Sequence, residues 1–324
     1  MSRLFIDGFE HGDEHLWVAG TVSIIDGDFD PHFSNYALRL ENGEIKRNIP
    51  ESSVICIGLS AVVSSTQTLT IKFYTVSGDI QGYVSINSNW SSVSVHNDTN
   101  TDSDSHYFGA NANWHIQIRF ENITVTQKRV QVDVNGFEYL DYTFDNDTAD
   151  KDKTGIVGIS GTGIGPTVDN VIIDDANLNM YPNRIVSLIP SSDSDPLQWV
   201  PVSGESHHSL VDEIPLSNYD FVVWNQFITA DSAAIDVFEM TNLERLDIDI
   251  RSVQLQVYGS TGHISGETYK SFIRISGEYH YGHSGEASGA NYRHNPTVWD
   301  MNPQSSGEWT VEAVQNLEAG IVFI

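Results

Sequence analysis

Apolar and polar residues alternate along much of this chain with a period of two. That pattern excludes most folds before any motif is read. Ile116, Ile118 and Phe120 alternate with His115, Gln117 and Arg119, and Val130, Val132 and Val134 alternate with Gln131, Asp133 and Asn135. Successive strand residues point to opposite faces, so each set reads as a half-buried strand. Thr68 to Val76, rich in β-branched and aromatic residues, is another. Further strands are expected near 54–63, 82–86, 92–96, 139–144, 154–160 and 168–174. Asn42-Gly43, Ser77-Gly78-Asp79 and Asn135-Gly136 supply turns between strands. Many short strands with regular turns predict an antiparallel sandwich, so the fold class is mainly β.

At 324 residues the chain is long enough for two domains. The break is expected at Asn179-Met-Tyr-Pro-Asn183, giving a sandwich over 1–181 and a second β-rich domain over 182–324. In the second half, Pro190 to Asp195 reads as a polar loop. Leu246, Ile248 and Ile250 share one parity and Val253, Leu255 and Val257 the other, so a β-bulge or a crossing between sheets is expected at Arg251-Ser252. Tyr269, Ile273 and Ile275 supply a strand, and Ser276 to Tyr292 reads as an exposed loop or ribbon. The predicted helix is Thr310 to Glu318, with Thr310 as N-cap, Val314 and Leu317 on one side, and Gly320 at C′. The two halves share no repeat.

Charge narrows the partners. With 44 acidic and 16 basic residues the formal charge is −28, so nucleic acid is not an expected partner, because binding its phosphates needs Lys and Arg. The same balance opposes docking on an anionic membrane. The first residues, Met1 to Glu10, lack the charged and apolar regions of a secretory signal, and no stretch is long and apolar enough to span a bilayer. A soluble protein made in a cytoplasm is therefore expected. The one cysteine, Cys56, lies in the apolar run Val54 to Leu59 and is expected to be buried.

Several motifs invite a chemical reading, each beside a plainer one. Asp26, Asp28 and Asp30 place carboxylates at alternate positions, which suits a structural Ca2+; the plainer reading is a solvated acidic turn. Asp7 and Glu10 near the start, with Asp169, Asp174 and Asp175, would converge if the first and last strands of the sandwich pair; turn and edge chemistry is the plainer reading. No cofactor beyond such a cation is implied. His207-His208 and His280 with His283 lack the spacing of a zinc hydrolase. Gly161 to Gly165 precedes a strand, not a helix, so it is a connection and not a phosphate loop. Asn89, Asn97, Asn122 and Asn146 head glycosylation sequons that chance explains in a Ser/Thr-rich chain. No Glu-x-Asp-x-x-Glu of a sandwich glucanase occurs, and Asp247 and Asp249 fall on a solvent face, so no catalytic residues are assigned. Tyr279, Tyr281 and Tyr292 are candidates to stack on sugar rings or on a protein partner, with self-packing as the alternative.

Several stretches, taken in order, resemble bacteriophage virion structural proteins with a laminin-G or concanavalin-A-like jelly-roll domain. Leu4-Phe-Ile-Asp-Gly-Phe-Glu10 with Trp17 is similar to the opening strand of that domain. Trp114-His-Ile-Gln-Ile118 and Val132-Asp-Val-Asn-Gly136 are similar to its central hairpin, and Val168-Asp-Asn-Val-Ile-Ile-Asp174 to its closing strand. The likeness continues through Asn183-Arg-Ile-Val186, Pro190, Trp199, Val211-Asp-Glu213, Asn302-Pro303, Trp309-Thr310 and Leu317-Glu-Ala-Gly320. It implies a non-enzymatic tail, fibre or capsid-decoration protein, located in the virion and attached to other virion proteins as a homo-oligomer. Trp199, Trp224, Trp299 and Tyr219 are then candidate contacts, with the monomer core as their plainer place. The family carries over no ligand residues to this chain. Two alternatives stand beside it: a carbohydrate-binding adhesin that recognises a host glycan, and a capsule-degrading sandwich glycanase.

Overall fold

The computed structural model describes residues 3–9, 17–19, 22–26, 36–63, 67–87, 92–97, 103–107, 113–145, 152–163, 165–175, 185–204, 206–212, 228–230, 234–259, 267–287, 293–294 and 296–323. Two compact units divide the chain, Met1–Val186 and Ser187–Ile324.

The first unit is an antiparallel β-sandwich. One sheet runs in the order Phe137–Asp145, Gln127–Val134, Asn113–Asn122, Val54–Val62, Thr167–Asp174, Tyr36–Leu40, Val22–Asp26, and Arg3–Asp7 also pairs with Thr167–Asp174. The other runs Ser103–Tyr107, Ser92–His96, Ile80–Asn87, Thr68–Tyr74, Thr154–Thr162, Glu44–Ser52, Val18–Ala19. Alternation sends one parity of each strand inward. Ile116, Ile118, Phe120, Val130 and Val132 from the first sheet meet Leu69, Ile71, Phe73, Val84, Val157 and Ile159 from the second in one buried core. Phe73 and Phe120 stack across that core, their ring centroids 4.4 Å apart. Val54–Val62 is apolar almost throughout because it lies inside its sheet and is covered on both faces. Cys56 is fully buried there, and burial pushes its thiol up to about 12.

Polar ties fix the sandwich at two places. Gln81 and Thr154 of one sheet share hydrogen bonds with Asn122 of the other: Gln81 Nε2 donates to Asn122 Oδ1 (3.3 Å), Asn122 Nδ2 to Thr154 Oγ1 (3.2 Å), and Thr154 Oγ1 to Gln81 Oε1 (2.7 Å). At the paired first and last strands, Asp7 accepts the Trp17 indole N–H (2.8 Å) and the Phe9 backbone N–H (2.7 Å). Thr167–Asp174 slips register between Asp169 and Ile172, where Asn170 takes a φ of 52° and its Oδ1 accepts the Ile185 N–H at 2.8 Å.

The second unit holds a five-stranded sheet in the order Pro190–Leu197, Ile235–Met240, Glu318–Phe323, Glu267–Ile275, Glu278–Ala287. Ile273, Ile275, Trp309, Val314 and Leu317 form its core, with Trp299, Leu255 and Ile250 packed against it. Arg274 reaches across the sheet to Glu318, Ser194 and the Asp195 carbonyl, joining three strands.

Four expectations are corrected here. Pro190 to Asp195 is a strand and not a loop: its proline starts an edge strand, where the missing N–H costs no ladder bond, and serines fill the partly exposed edge. The alternation over 246–257 does not make one bulged strand. Val253–Leu255 pairs with Thr297–Trp299, Ile250 makes a lone bridge to Trp309, and Leu246 is exposed. The helix is shorter than its apolar pattern, Val311–Gln315, although Thr310 Oγ1 caps it by accepting the Ala313 N–H at 3.1 Å. Gly320 is not its C′ residue. It lies within Glu318–Phe323, where a Cβ would come within 2.3 Å of the Asp236 carbonyl and of the Phe272 ring, so glycine is there for close approach.

Replacing Phe120 by Ala should remove half of the inter-sheet ring stack and lower unfolding stability by about 3–5 kcal/mol. Urea denaturation followed by near-UV circular dichroism measures this.

Candidate functional site

The outer face of the seven-stranded sheet gathers the described polar side chains that strand pairing sets in ordered rows. Leu69, Ile71 and Phe73 point into the core, so Thr68, Thr70, Lys72 and Tyr74 point outward. The same parity rule turns out Tyr83, Ser85 and Asn87 on the next strand and Ser92, Ser94 and His96 on the one after. Register aligns these into rows that cross the strands. One row is Lys46, Gly158, Lys72, Tyr83, His96. The next is Glu44, Ser160, Thr70, Ser85, Ser94, Ser105. With strands about 4.8 Å apart, the first row spans roughly 19 Å.

Two features stand on this face. At one end of the first row Tyr83 and His96 stack, with centroids 4.8 Å apart and planes 20° from parallel. Burial lowers the affinity of His96 for its proton, so the ring is neutral at pH 7. At the other end Glu44 leans over Gly158. Its Oε1 accepts the Tyr74 hydroxyl at 2.5 Å and pairs with the Lys72 ammonium at 3.1 Å, while Oε2 pairs with Lys46 at 3.3 Å. The Lys46 ammonium also sits 4.3 Å from the Tyr74 ring centroid. Gly158 makes the cluster fit, because a Cβ there would come within 2.9 Å of both Glu44 Oε1 and the Tyr74 ring. Burial pushes the Glu44 carboxyl up, but Tyr74, Lys72 and Lys46 outweigh it and hold the group below its ordinary value. Burial and the neighbouring Glu44 carboxylate push the Tyr74 hydroxyl up, so it stays a donor.

The residues singled out in the sequence lie elsewhere. Asp26 ends the strand Val22–Asp26, its side chain is outside the described set, and Asp28 and Asp30 lie outside the described residues. Arg3–Asp7 does pair with Thr167–Asp174, but the register spreads that acidic set along the strands: Asp174 lies opposite Arg3, and Asp7 opposite Val171. Its members serve the fold: Asp7 holds Trp17, Asp169 accepts the Asn170 N–H at 2.5 Å, and Asp174 lies 3.7 Å from Arg3. Glu10 lies outside the described residues. Among the described residues no three His, Cys, Asp or Glu side chains gather as a cation site.

In the second unit, Tyr279 is half-buried on an edge strand, against Phe272 and the Arg274 guanidinium. Tyr281 is 53% exposed and stacks on Tyr279 at 6.2 Å; Tyr292 lies outside the described residues. His207 and His208 each turn Nδ1 to a carboxylate, Asp236 at 2.6 Å and Asp193 at 3.1 Å. These contacts pin a short 3-10 turn, His208–Leu210, to the sheet. The Trp199 indole donates to the Ala234 carbonyl at 3.2 Å and Trp299 packs on the second core, while Tyr219 and Trp224 lie outside the described residues. Of the sequons, Asn97 and Asn122 are buried, and the Asn122 amide is spent on Gln81 and Thr154.

The first unit is an antiparallel β-sandwich. The chain is similar to a galectin of Caenorhabditis elegans at 17% identity, over 40% of this chain and 89% of that one, with a TM-score of 0.30. It is similar to a carbohydrate-binding module of Bacillus subtilis at 9% identity, over 50% and 98% of the two chains, with a TM-score of 0.33. A sialidase is matched at 12% identity and a TM-score of 0.34, over 44% of this chain but 15% of the sialidase. Neither a protein-family model nor a curated protein sequence matches the chain.

The Glu44 cluster gives the sandwich a pH dependence of known sign. The folded value of Glu44 lies below its ordinary 4.5, so its contribution to stability is present above that value and is lost as pH falls through the folded one. Changing Tyr74 to Phe removes the first of the lowering groups, so Glu44 should titrate at higher pH in that variant. Carboxyl NMR of Glu44 across pH 2–6 reads the change.

Proposed function

We propose that this protein is a carbohydrate-binding module that takes an oligosaccharide on the outer face of its seven-stranded sheet. One observation carries the reading. Register lines up a stacked aromatic pair, a row of hydroxyls and a preorganised charged cluster on one surface. Sugars present apolar C–H faces and dense hydroxyls, and a site for them needs flat aromatic area beside groups that donate and accept. Tyr83 with His96 offers the flat area. Ser160, Thr70, Ser85 and Ser94 offer hydroxyls along the neighbouring row. A row roughly 19 Å long suits a chain of sugars better than a single ring.

Binding without turnover is part of the proposal. A glycosidase of the common kind needs two carboxylates flanking the scissile bond. Among the described side chains that register places on this face, Glu44 is the one carboxylate, and it is engaged by Tyr74 and two lysines. The virion role implied by the resemblance draws no support from the solved structures described above. If the chain is carried on a particle, the same face makes it the host-facing adhesin, and mass spectrometry of purified particles tests that placement.

A glycan array probed with the purified chain tests the binding reading, and an array with no signal overturns it. In the Tyr83→Ala variant the loss of stacking area should weaken any bound oligosaccharide by up to about tenfold. Incubation with the bound oligosaccharides should release no new reducing ends.

A further inference from the structure

We propose that the ligand of this face is an anionic oligosaccharide, whose carboxylate or sulfate sits between Lys46 and Lys72. The inference rests on the glycan-binding reading above and adds the chemical class of the sugar.

The argument begins with donors and acceptors. An ammonium group carries three donors and no acceptor. Among their contacts with protein, Lys46 and Lys72 each spend one donor on Glu44 and Lys46 also faces the Tyr74 ring, so two donors on Lys72 and at least one on Lys46 remain for a ligand. A carboxylate offers about four acceptor sites. Glu44 fills three of its own, with Tyr74, Lys72 and Lys46. The two lysines therefore hold at least three spare donors against about one spare acceptor on Glu44. A neutral sugar hydroxyl both donates and accepts, so it matches such a surface poorly. A carboxylate or sulfate, which only accepts, matches it well, and each such bond is charge-assisted.

Charge points the same way. The chain carries 44 acidic residues and 16 basic ones, so a surface patch of it should be negative. On this face two ammonium groups meet one carboxylate, a local excess of one positive charge. At physiological ionic strength fields between exposed charges fade over about 8 Å, so an anion at the cluster feels these two lysines more than the remote acidic surface. The lysines are also held. Lys72 and Lys46 side chains are 26% and 38% exposed, and Lys46 is further fixed over the Tyr74 ring. They are open to a ligand yet lose little freedom when one arrives. Tyr83, opposite Lys72 in the register, places the stacking surface next to the cationic one, so a single sugar unit can use both.

The test is an array of matched pairs: uronate-, sialate- and sulfate-bearing oligosaccharides, each beside its carboxyl-reduced or desulfated counterpart. Affinities of the strongest pair are then measured by calorimetry with the full chain. The anionic member should bind about tenfold or more tightly than its neutral partner. Lys72→Met should abolish that preference, while Tyr83→Ala weakens both members alike; circular dichroism checks that each variant is folded. Equal binding within pairs, or a preference for the neutral member, overturns this inference and leaves the binding reading standing. A preference that survives in both Lys72→Met and Lys46→Met also overturns it. No binding to either member of any pair overturns both.

Discussion

Closure of two sheets over one apolar layer is the constraint on which everything else in the first unit depends. Each strand contributes one parity of side chains to that layer, and the Phe73–Phe120 stack joins the two sheets directly. Burial of this kind is the largest favourable term in folding. It also decides what faces outward. Once Ile71 and Phe73 are committed to the core, Lys72 and Tyr74 have one direction left. The outer surface is thus the complement of the core pattern, and a shift of one residue in any strand would exchange the two.

That dependence explains how the candidate site is built. No local motif holds Lys46, Lys72, Tyr83 and His96, which come from four different strands. Strand pairing sets them in line, at the fixed spacing of hydrogen-bonded neighbours. Special local chemistry enters at Gly158, where the missing side chain leaves room for Glu44 and Tyr74 to touch. The second unit shows a contrasting use of charge. Arg274 with Glu318, and Asp236 with His207, fasten strands and a turn to one another.

Alternation made strands such as 80–87, 92–96 and 127–134 legible in the sequence, because one parity of each is regularly apolar, and the continuous apolar run marked 54–62. The strand Glu44–Ser52 was not legible. Its residues Lys46, Arg47 and Asn48 interrupt the apolar parity, and Pro50 reads as a breaker, yet it carries two of the charged groups of the site. The polar parity of 68–74, 83–87 and 92–96 was visible, but sequence does not say which strands are neighbours, so the rows could not be drawn. Aspartate spacing is the more conspicuous signal in the sequence. Asp7, Asp169 and Asp174 lie on the paired first and last strands but spread along them, and the structure spends them on Trp17, Asn170 and Arg3. Spacing showed the residue types but not that backbone and indole donors would claim them first.

The buried amide of Asn122 carries one more consequence. Asn122-Ile123-Thr124 has the form of an acceptor for oligosaccharyl transfer, but in the folded sandwich its nitrogen is enclosed between the sheets, bonded to Thr154. Transfer would have to precede closure, and a glycan attached there would then hold the sheets apart. Production of this chain through a eukaryotic secretory route therefore sets enzymatic modification against folding, and bacterial production avoids that competition.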